Sequence, residues 1–182
     1  ASMKNMFRIG AFAAFNILAA ATAPAHASEA PAVGAAAPLF QATTTTGAAF
    51  SLDSRKGQWT VLYFYPKDGT PGCTKQACAF RDAIEVIHKQ GAEVYGISQD
   101  SVDSHKKFTE KQKLNFPLLA DPGGKVARLY GAEGFLGFSK RWTFIVDPEL
   151  KVRWVKKDVD PAVNARDVAA QIASMQGQGA AK

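Results

Sequence analysis

Two patterns of apolar and polar positions alternate along the chain. Residues 59–65 (WTVLYFY) are almost all apolar or aromatic, the pattern of a strand covered on both faces at the centre of an α/β sheet. A Pro/Gly-rich turn at 66–72 follows, and then Cys73, Ala77, Phe80, Ile84 and Ile87 recur at spacings of 4, 3, 4 and 3. Those spacings share one helical face and predict a helix over 73–89. Residues 93–98 read as a second strand, Ser101 is placed to cap a helix reaching 113, and 116–120 read as a short strand. A turn at Asp121-Pro122-Gly123 leads to a short helix over 124–130. Residues 142–146 and 151–155 form a predicted hairpin around Asp147-Pro148, and 163–175 a closing amphipathic helix. Ahead of these, 39–52 holds two short β-prone pieces around Thr46-Gly47, an N-terminal β-hairpin. The expected fold class is α/β, a mixed central sheet flanked by helices.

Composition narrows the picture without changing it. With 182 residues, 47% hydrophobic and 21% charged, the chain suits one well-buried domain and is too apolar for a disordered one. Its two cysteines are too few for a disulfide-dense scaffold or a four-thiolate zinc site. No apolar run approaches the roughly 20 residues of a membrane span.

The N-terminus reads separately. Ala1 and Ser2, ahead of Met3, read as a vector-derived remnant. Lys4 and Arg8, a short apolar stretch from Ile9 to about Ala21, and Ala25-His26-Ala27 follow. That three-part pattern is a secretory signal peptide over 1–27 and predicts export, with a bacterial periplasm as the expected compartment. No cysteine lies near the cut, so no lipid anchor is expected, and no membrane contact after cleavage. Residues 28–37 read as a linker, 38–175 as the domain and 176–182 as a flexible tail. Cleavage removes two of 22 basic residues and none of 16 acidic ones, leaving 20 against 16, a net +4. The remaining Lys and Arg are scattered; Lys106, Lys107, Lys111 and Lys113 read as a solvated helix face. Nucleic acid is not an expected partner.

Chemistry concentrates in Tyr63–Asp82 (YFYPKDGTPGCTKQACAFRD). Cys73 sits where a buried strand gives way to the first turn of a helix, where unpaired N–H groups and the helix dipole favour negative charge. A thiol so placed tends to ionise, and the thiolate is the nucleophile. Thr70 can offer a hydroxyl to that thiolate or to a substrate oxygen, and Pro66 ends the strand and helps cover the pocket. On the same pattern Cys73 also reads as a small core residue. Cys78 follows at i+5, which on an intact helix separates the Cα atoms by about 8.6 Å, beyond disulfide reach. A bond between the two therefore requires the first turn to unwind, which suits a redox pair that cycles between folded and locally unfolded states.

The segment resembles the peroxiredoxin signature P-x-x-x-T-x-x-C, matched by Pro66, Thr70 and Cys73. Its wording is similar to the bacterioferritin comigratory protein, or peroxiredoxin Q, subfamily, and the likeness extends over about 37–172, including DSVDSHKKF, NFPLLADPGGKVARLYGA and RWTFIVDP. The resemblance implies a thioredoxin-like fold and thiol-dependent reduction of hydrogen peroxide and organic hydroperoxides, with a thioredoxin-like reductant, no cofactor and no metal. It also leans towards a monomer. It implies Cys73 as the peroxidatic thiol, Cys78 as the resolving thiol paired with it in an intramolecular disulfide, Thr70 and Pro66 as active-site loop residues and Arg141 as the cationic partner. Two departures stand out: Gln76 where many relatives carry Glu, which removes a local charge, and Trp142 where they carry Ser or Thr. The subfamily is usually cytosolic, so the signal peptide is a third.

Two other functions fit the same residues. One is an exported thiol–disulfide oxidoreductase acting on proteins; the other is a non-enzymatic binding domain with a passive disulfide. Peroxide consumption separates both from a peroxidase. His88 and His105 read as surface or internally satisfied residues and make no metal set with the cysteines. The aromatic loop Phe135-Leu136-Gly137-Phe138 reads either as a pocket mouth or as core packing.

Overall fold

A computed structural model of the chain describes residues 29–179. The expected signal peptide lies outside them. Seven strands form one sheet: β1 (Gln41–Thr44), β2 (Ala49–Ser51), β3 (Trp59–Phe64), β4 (Ala92–Ser98), β5 (Leu118–Ala120), β6 (Thr143–Val146) and β7 (Val152–Lys156). The helices are α1 (Pro71–Lys89), α2 (Val102–Gln112), α3 (Lys125–Leu129) and α4 (Asn164–Gly179). The strand order is β2-β1-β5-β4-β3-β6-β7. β3, β4 and β5 run parallel, while β6, β7 and the β1–β2 hairpin join antiparallel. Among the described residues no helix is long and apolar enough to cross a membrane.

The near-continuous apolar run of β3 is explained by its central position. Val61, Tyr63 and Tyr65 point into one core with Phe80, Ile84 and Ile87 of α1, Phe108 of α2, and Val168 and Ile172 of α4. Leu62 and Phe64 point into a second core with Val126 and Ala127 of α3 and Phe40 and Phe50 of the hairpin region. Alternate residues of one strand thus feed two cores. The predicted face of α1 is the buried one.

Several boundaries differ from expectation, among them the start of β5 at Leu118 in place of 116, and three differences have a visible cause or contact. α1 begins two residues earlier, at Pro71, because proline suits the first helical position, where no N–H is needed. The segment expected as a linker is docked: Gly34 and Ala37 donate to the carbonyls of Val152 and Leu150, and Ala36 bridges to Lys151. Its small residues let the backbone lie against β7. α4 continues to Gly179, past the expected start of the tail at 176, and Gln176 Nε2 donates to the Gln90 carbonyl at 2.6 Å.

Candidate active site

The turn between β3 and α1 places the chemistry. Gly69 has φ +74°, the left-handed region open to glycine, and swings the chain towards the helix. Thr70 is extended (φ −74°, ψ 153°), and its hydroxyl donates to the Lys67 carbonyl at 2.9 Å. The Thr70 proton is therefore spent on the turn and not on sulfur, contrary to one part of the sequence expectation; its oxygen lone pairs stay free to accept. Pro66 is half-buried beside it. Cys73 is the third residue of α1 and only 1% exposed, so its thiol sits in the first turn, near the helix's unpaired amides.

Arg141, just before β6, reaches this turn. Its Nη2 lies 3.3 Å from Cys73 Sγ, and its Nη1 donates to Gln76 Oε1 at 2.7 Å. Gly72 makes the approach possible, since a Cβ there would meet Arg141 Nη2 at 3.1 Å. Gln76 is fully buried, and its Nε2 donates to Asn164 Oδ1 at 2.9 Å, which also accepts from Thr143 Oγ1 at 2.9 Å. Among the described residues no carboxylate pairs with Arg141. A neutral amide fixes one half of the guanidinium fork and the other half faces sulfur, so the cationic charge is left to act on the thiol. Burial, and then the negative charge of Cys73, hold the nearby Tyr63 phenol well above its usual pKa, so it stays protonated.

Cys78 lies one turn and a half further along the same unbroken helix, off the buried face, with Sγ 3.6 Å from Gln112 Oε1. Both thiols are free. With α1 continuous, Cys78 cannot reach Cys73 until the first turn unwinds.

Sequence reasoning treated Gln76 only as a departure and missed Asn164 and Thr143. Gln76 stands three residues after Cys73 and four before Phe80, a polar residue on an apolar face. Asn164 likewise shares the face of Val168 and Ile172. Such positions mark buried groups with partners. Trp142, the other departure, lies beside Arg141 with the Lys140 and Lys157 ammonium groups 4.6 and 4.7 Å from its ring centroid. Phe135 and Leu136 are 81% and 76% exposed, which rules out core packing for that loop. Phe138 is covered on one side by Lys67 of the turn, at 5.6 Å. His88 is on the surface beside Glu93, and His105 is fully buried with partners on both ring nitrogens.

A thiol in the first turn of the helix that follows a central parallel strand, on a sheet of this order with helices on both faces, defines a thioredoxin-like thiol protein. The chain belongs to the AhpC/TSA family, whose pattern matches residues 33–155. A putative chloroplastic peroxiredoxin Q of Oryza sativa subsp. indica is 49% identical over 124 residues, covering 67% of this chain and 57% of that protein. The chain thus spans little more than half the length of that relative. A putative peroxiredoxin bcp of Coxiella burnetii is 44% identical over 138 residues, 70% of this chain and 91% of that one. Among solved structures, the peroxidoxin BcpB of Mycobacterium tuberculosis has a TM-score of 0.74 at 34% identity, covering 79% of this chain and 97% of its own. The bacterioferritin comigratory protein of Xanthomonas campestris has a TM-score of 0.71 at 32% identity, covering 75% and 91%. The expected subfamily resemblance and the thioredoxin-like fold are both met.

Proposed function

We propose that this chain is a thiol-dependent peroxidase in which Cys73 is oxidised by a peroxide, Cys78 resolves the product, and an external thioredoxin-like dithiol restores both. The observation that carries this reading is a buried thiol in the first turn of α1, 3.3 Å from a guanidinium that no carboxylate among the described residues neutralises, with a second thiol in the same helix. Support also comes from the names of the similar proteins.

In the first step the Cys73 thiolate attacks one peroxide oxygen. An S–O bond forms and the O–O bond breaks. Sulfur loses two electrons to the peroxide, and the departing oxygen takes a proton and leaves as water or an alcohol. An ordinary thiol is about 3% ionised at pH 7, so full ionisation gains at most about 30-fold, or roughly 2 kcal/mol. Further acceleration has to come from donors facing the separating oxygens, which here are the Arg141 guanidinium and the first amides of α1. Thr70 lends its hydroxyl oxygen as an acceptor that holds a protonated peroxide in line.

In the second step the first turn of α1 unwinds and the Cys78 thiolate attacks the Cys73 sulfenic acid. The S–S bond forms, the S–O bond breaks, and hydroxide leaves as water after protonation. Thiol–disulfide exchange with the external dithiol then returns both thiols, its own pair becoming the disulfide. The basic start, apolar middle and A-x-A end of residues 1–27 support export, and an exported chain needs a reductant on the same side of the membrane.

Peroxide treatment followed by mass spectrometry tests the cycle. The unaltered chain is expected to yield a Cys73–Cys78 disulfide, Cys78→Ser to accumulate over-oxidised Cys73, and Cys73→Ser to lose peroxide consumption by at least about 1,000-fold. Sulfenic acid on Cys78, or full turnover in Cys73→Ser, would sink the assignment.

A further inference from the structure

Among the buried titratable groups of the described residues that the cycle above leaves unused, one is a histidine. His105, in α2, is fully enclosed. Its Nδ1 lies 2.8 Å from Asp68 Oδ2 and its Nε2 3.1 Å from the Leu119 carbonyl oxygen. Both partners are acceptors. A neutral imidazole has one N–H and would turn a lone pair on one of them, whereas the doubly protonated ring has a donor for each.

Asp68 is the other half of the pair, and it belongs to the turn that carries Thr70 and leads into Cys73. Its Oδ1 accepts from the Tyr65 hydroxyl at 2.6 Å, and its Oδ2 also accepts from Ser104 Oγ at 2.8 Å. Its backbone N–H donates to Asp100 Oδ2 at 2.8 Å, which Ser98 Oγ also reaches at 2.6 Å. Burial, and then the Asp68 charge, hold the Tyr65 phenol well above its usual pKa, so its proton stays available to Asp68. That leaves the Tyr65 oxygen, 3.4 Å from His105 Nδ1, as a further acceptor there. The converging atoms of Asp68, Asp100 and His105 lie within 4.8 Å of one another and are engaged by these protein groups.

We propose that His105 and Asp68 form a proton-dependent anchor for the active-site turn. With both ring nitrogens protonated the turn is held against α2 in its peroxide-reactive form, and loss of one proton frees it to unwind towards the form that makes the disulfide. Its catalytic consequence rests on the peroxidase reading; the anchor itself does not. His105 is a positioning residue, since it touches neither thiol.

The same helix fixes the far end of the segment that must move. The Gln112 side chain meets Cys78 Sγ, its carbonyl accepts from Arg81 Nη1 at 2.6 Å, and Asn115 Nδ2 donates to the Arg81 carbonyl at 3.1 Å. Residues 69–77 therefore span two attachments to α2 and its C-terminal loop. Tyr65 and Asp68 from the turn face His105, Asp100 after β4 lies behind Asp68, and α2 itself carries Lys107 and Lys111. The two lysines line an outer groove of about 190 Å³ with Asp68 and Gly69. β5 presents the Leu119 carbonyl. The sign follows from the geometry: the two acceptors favour a ring with a proton on each nitrogen, so the anchor is made with both protons present and is weakened when one leaves at higher pH.

Asp68→Asn tests this directly. The new amide donates to a neutral His105 Nδ1, Nε2–H still donates to Leu119, the new carbonyl accepts from Tyr65, and Ser104 turns to accept. Every partner is satisfied without charge, so the turn stays anchored at all pH values. Hydrogen exchange of residues 69–77, corrected for intrinsic rates, is followed on the full-length reduced chain from about pH 5.5 to 8.5, the range of histidine titration. In the unaltered chain protection should fall at least about tenfold more than in Asp68→Asn. Nitrogen NMR should show two ring N–H groups on His105 at the acidic end and one in the variant. The single-turnover rate of disulfide formation should follow the same pH course.

One ring N–H on His105 at the acidic end, or identical exchange profiles in the two proteins, overturns the anchor. The measurements on the unaltered chain decide the matter even if the variant folds poorly. A normal peroxidase without the exchange step means that the anchor fails and the peroxidase stands. The exchange step in a chain that consumes no peroxide means the reverse.

Discussion

The two polar networks beside the start of α1 handle charge in opposite ways. On the β6–α4 side, the Arg141 cation is held by Gln76, Asn164 and Thr143, all of them neutral. On the α2 side, the Asp68 carboxylate meets a histidine that has an acceptor at each ring nitrogen. The first arrangement fixes a charge in space without cancelling it, so that its field acts on the nearby sulfur. The second matches the charge when both ring nitrogens carry a proton, which suits a group whose task is to hold a turn in place. A buried ion pair is costly to half-remove, and a partly buried cation held by an amide oxygen in place of a carboxylate keeps most of its reach. The chain thus separates the charge that acts from the charge that anchors, on either side of one thiol.

That contrast is broken most severely at Arg141. Arg141→Lys keeps a cation but loses the planar fork that spans Cys73 and Gln76 together. The rate of peroxide attack is expected to fall about 100-fold, the scale for losing a positioned donor. Thiolate ultraviolet absorbance at a given pH should change little, because the positive charge remains. Stopped-flow peroxide kinetics beside an absorbance titration separates the two effects. If the rate falls only in proportion to lost thiolate, Arg141 acts through charge and the fork is irrelevant.

Gln76→Glu is the converse change, keeping the fork and weakening its effect on sulfur. Asn164 can accommodate the introduced carboxylate by turning its amide: Nδ2, buried and without a partner in this structure, would donate to that carboxylate, while Thr143 Oγ1 accepts the second amide hydrogen. The fold should therefore persist. Peroxide attack should slow by about tenfold, with less thiolate at a given pH, because the carboxylate now shares the guanidinium charge. An unchanged rate would show that the neutrality of this network has no catalytic consequence.

Local features were the legible ones. Pro66, Thr70 and Cys73 lie within eight residues, and the face of Cys73, Ala77, Phe80, Ile84 and Ile87 follows from helical spacing alone, so both could be read directly. The run at β3 announced a strand covered on both sides, as it is. What stayed hidden depends on contacts distant in sequence. Gln76 meets Asn164 at a separation of 88 residues, and Asp68 meets His105 at 37. The i+3 spacing of His105 to Phe108, which share the buried face of α2, could have settled whether the histidine was a surface or an internally satisfied residue, a choice the sequence reading left open. It could not say what the ring would face. The docking of residues 34–37 was equally illegible, since it is made by backbone groups that carry no side-chain signature.

The smallest expected effect lies outside both networks, in the loop after β-bridge residue Glu133. Leu136 is 76% exposed and has φ +52°, a left-handed conformation that a leucine adopts only at a cost. Asparagine tolerates that region better, and the side chain lost contributes little burial. Leu136→Asn should therefore raise stability by about 0.5 kcal/mol, on the order of 1–2 °C in Tm for a domain of this size. The peroxide rate should stay within about twofold, because the contact between loop and turn at Phe138 and Lys67 does not involve Leu136. A thermal melt and the same stopped-flow assay check both. A tenfold loss of rate with a raised Tm would make this loop a third support of the turn, and the division of labour between two networks would be incomplete.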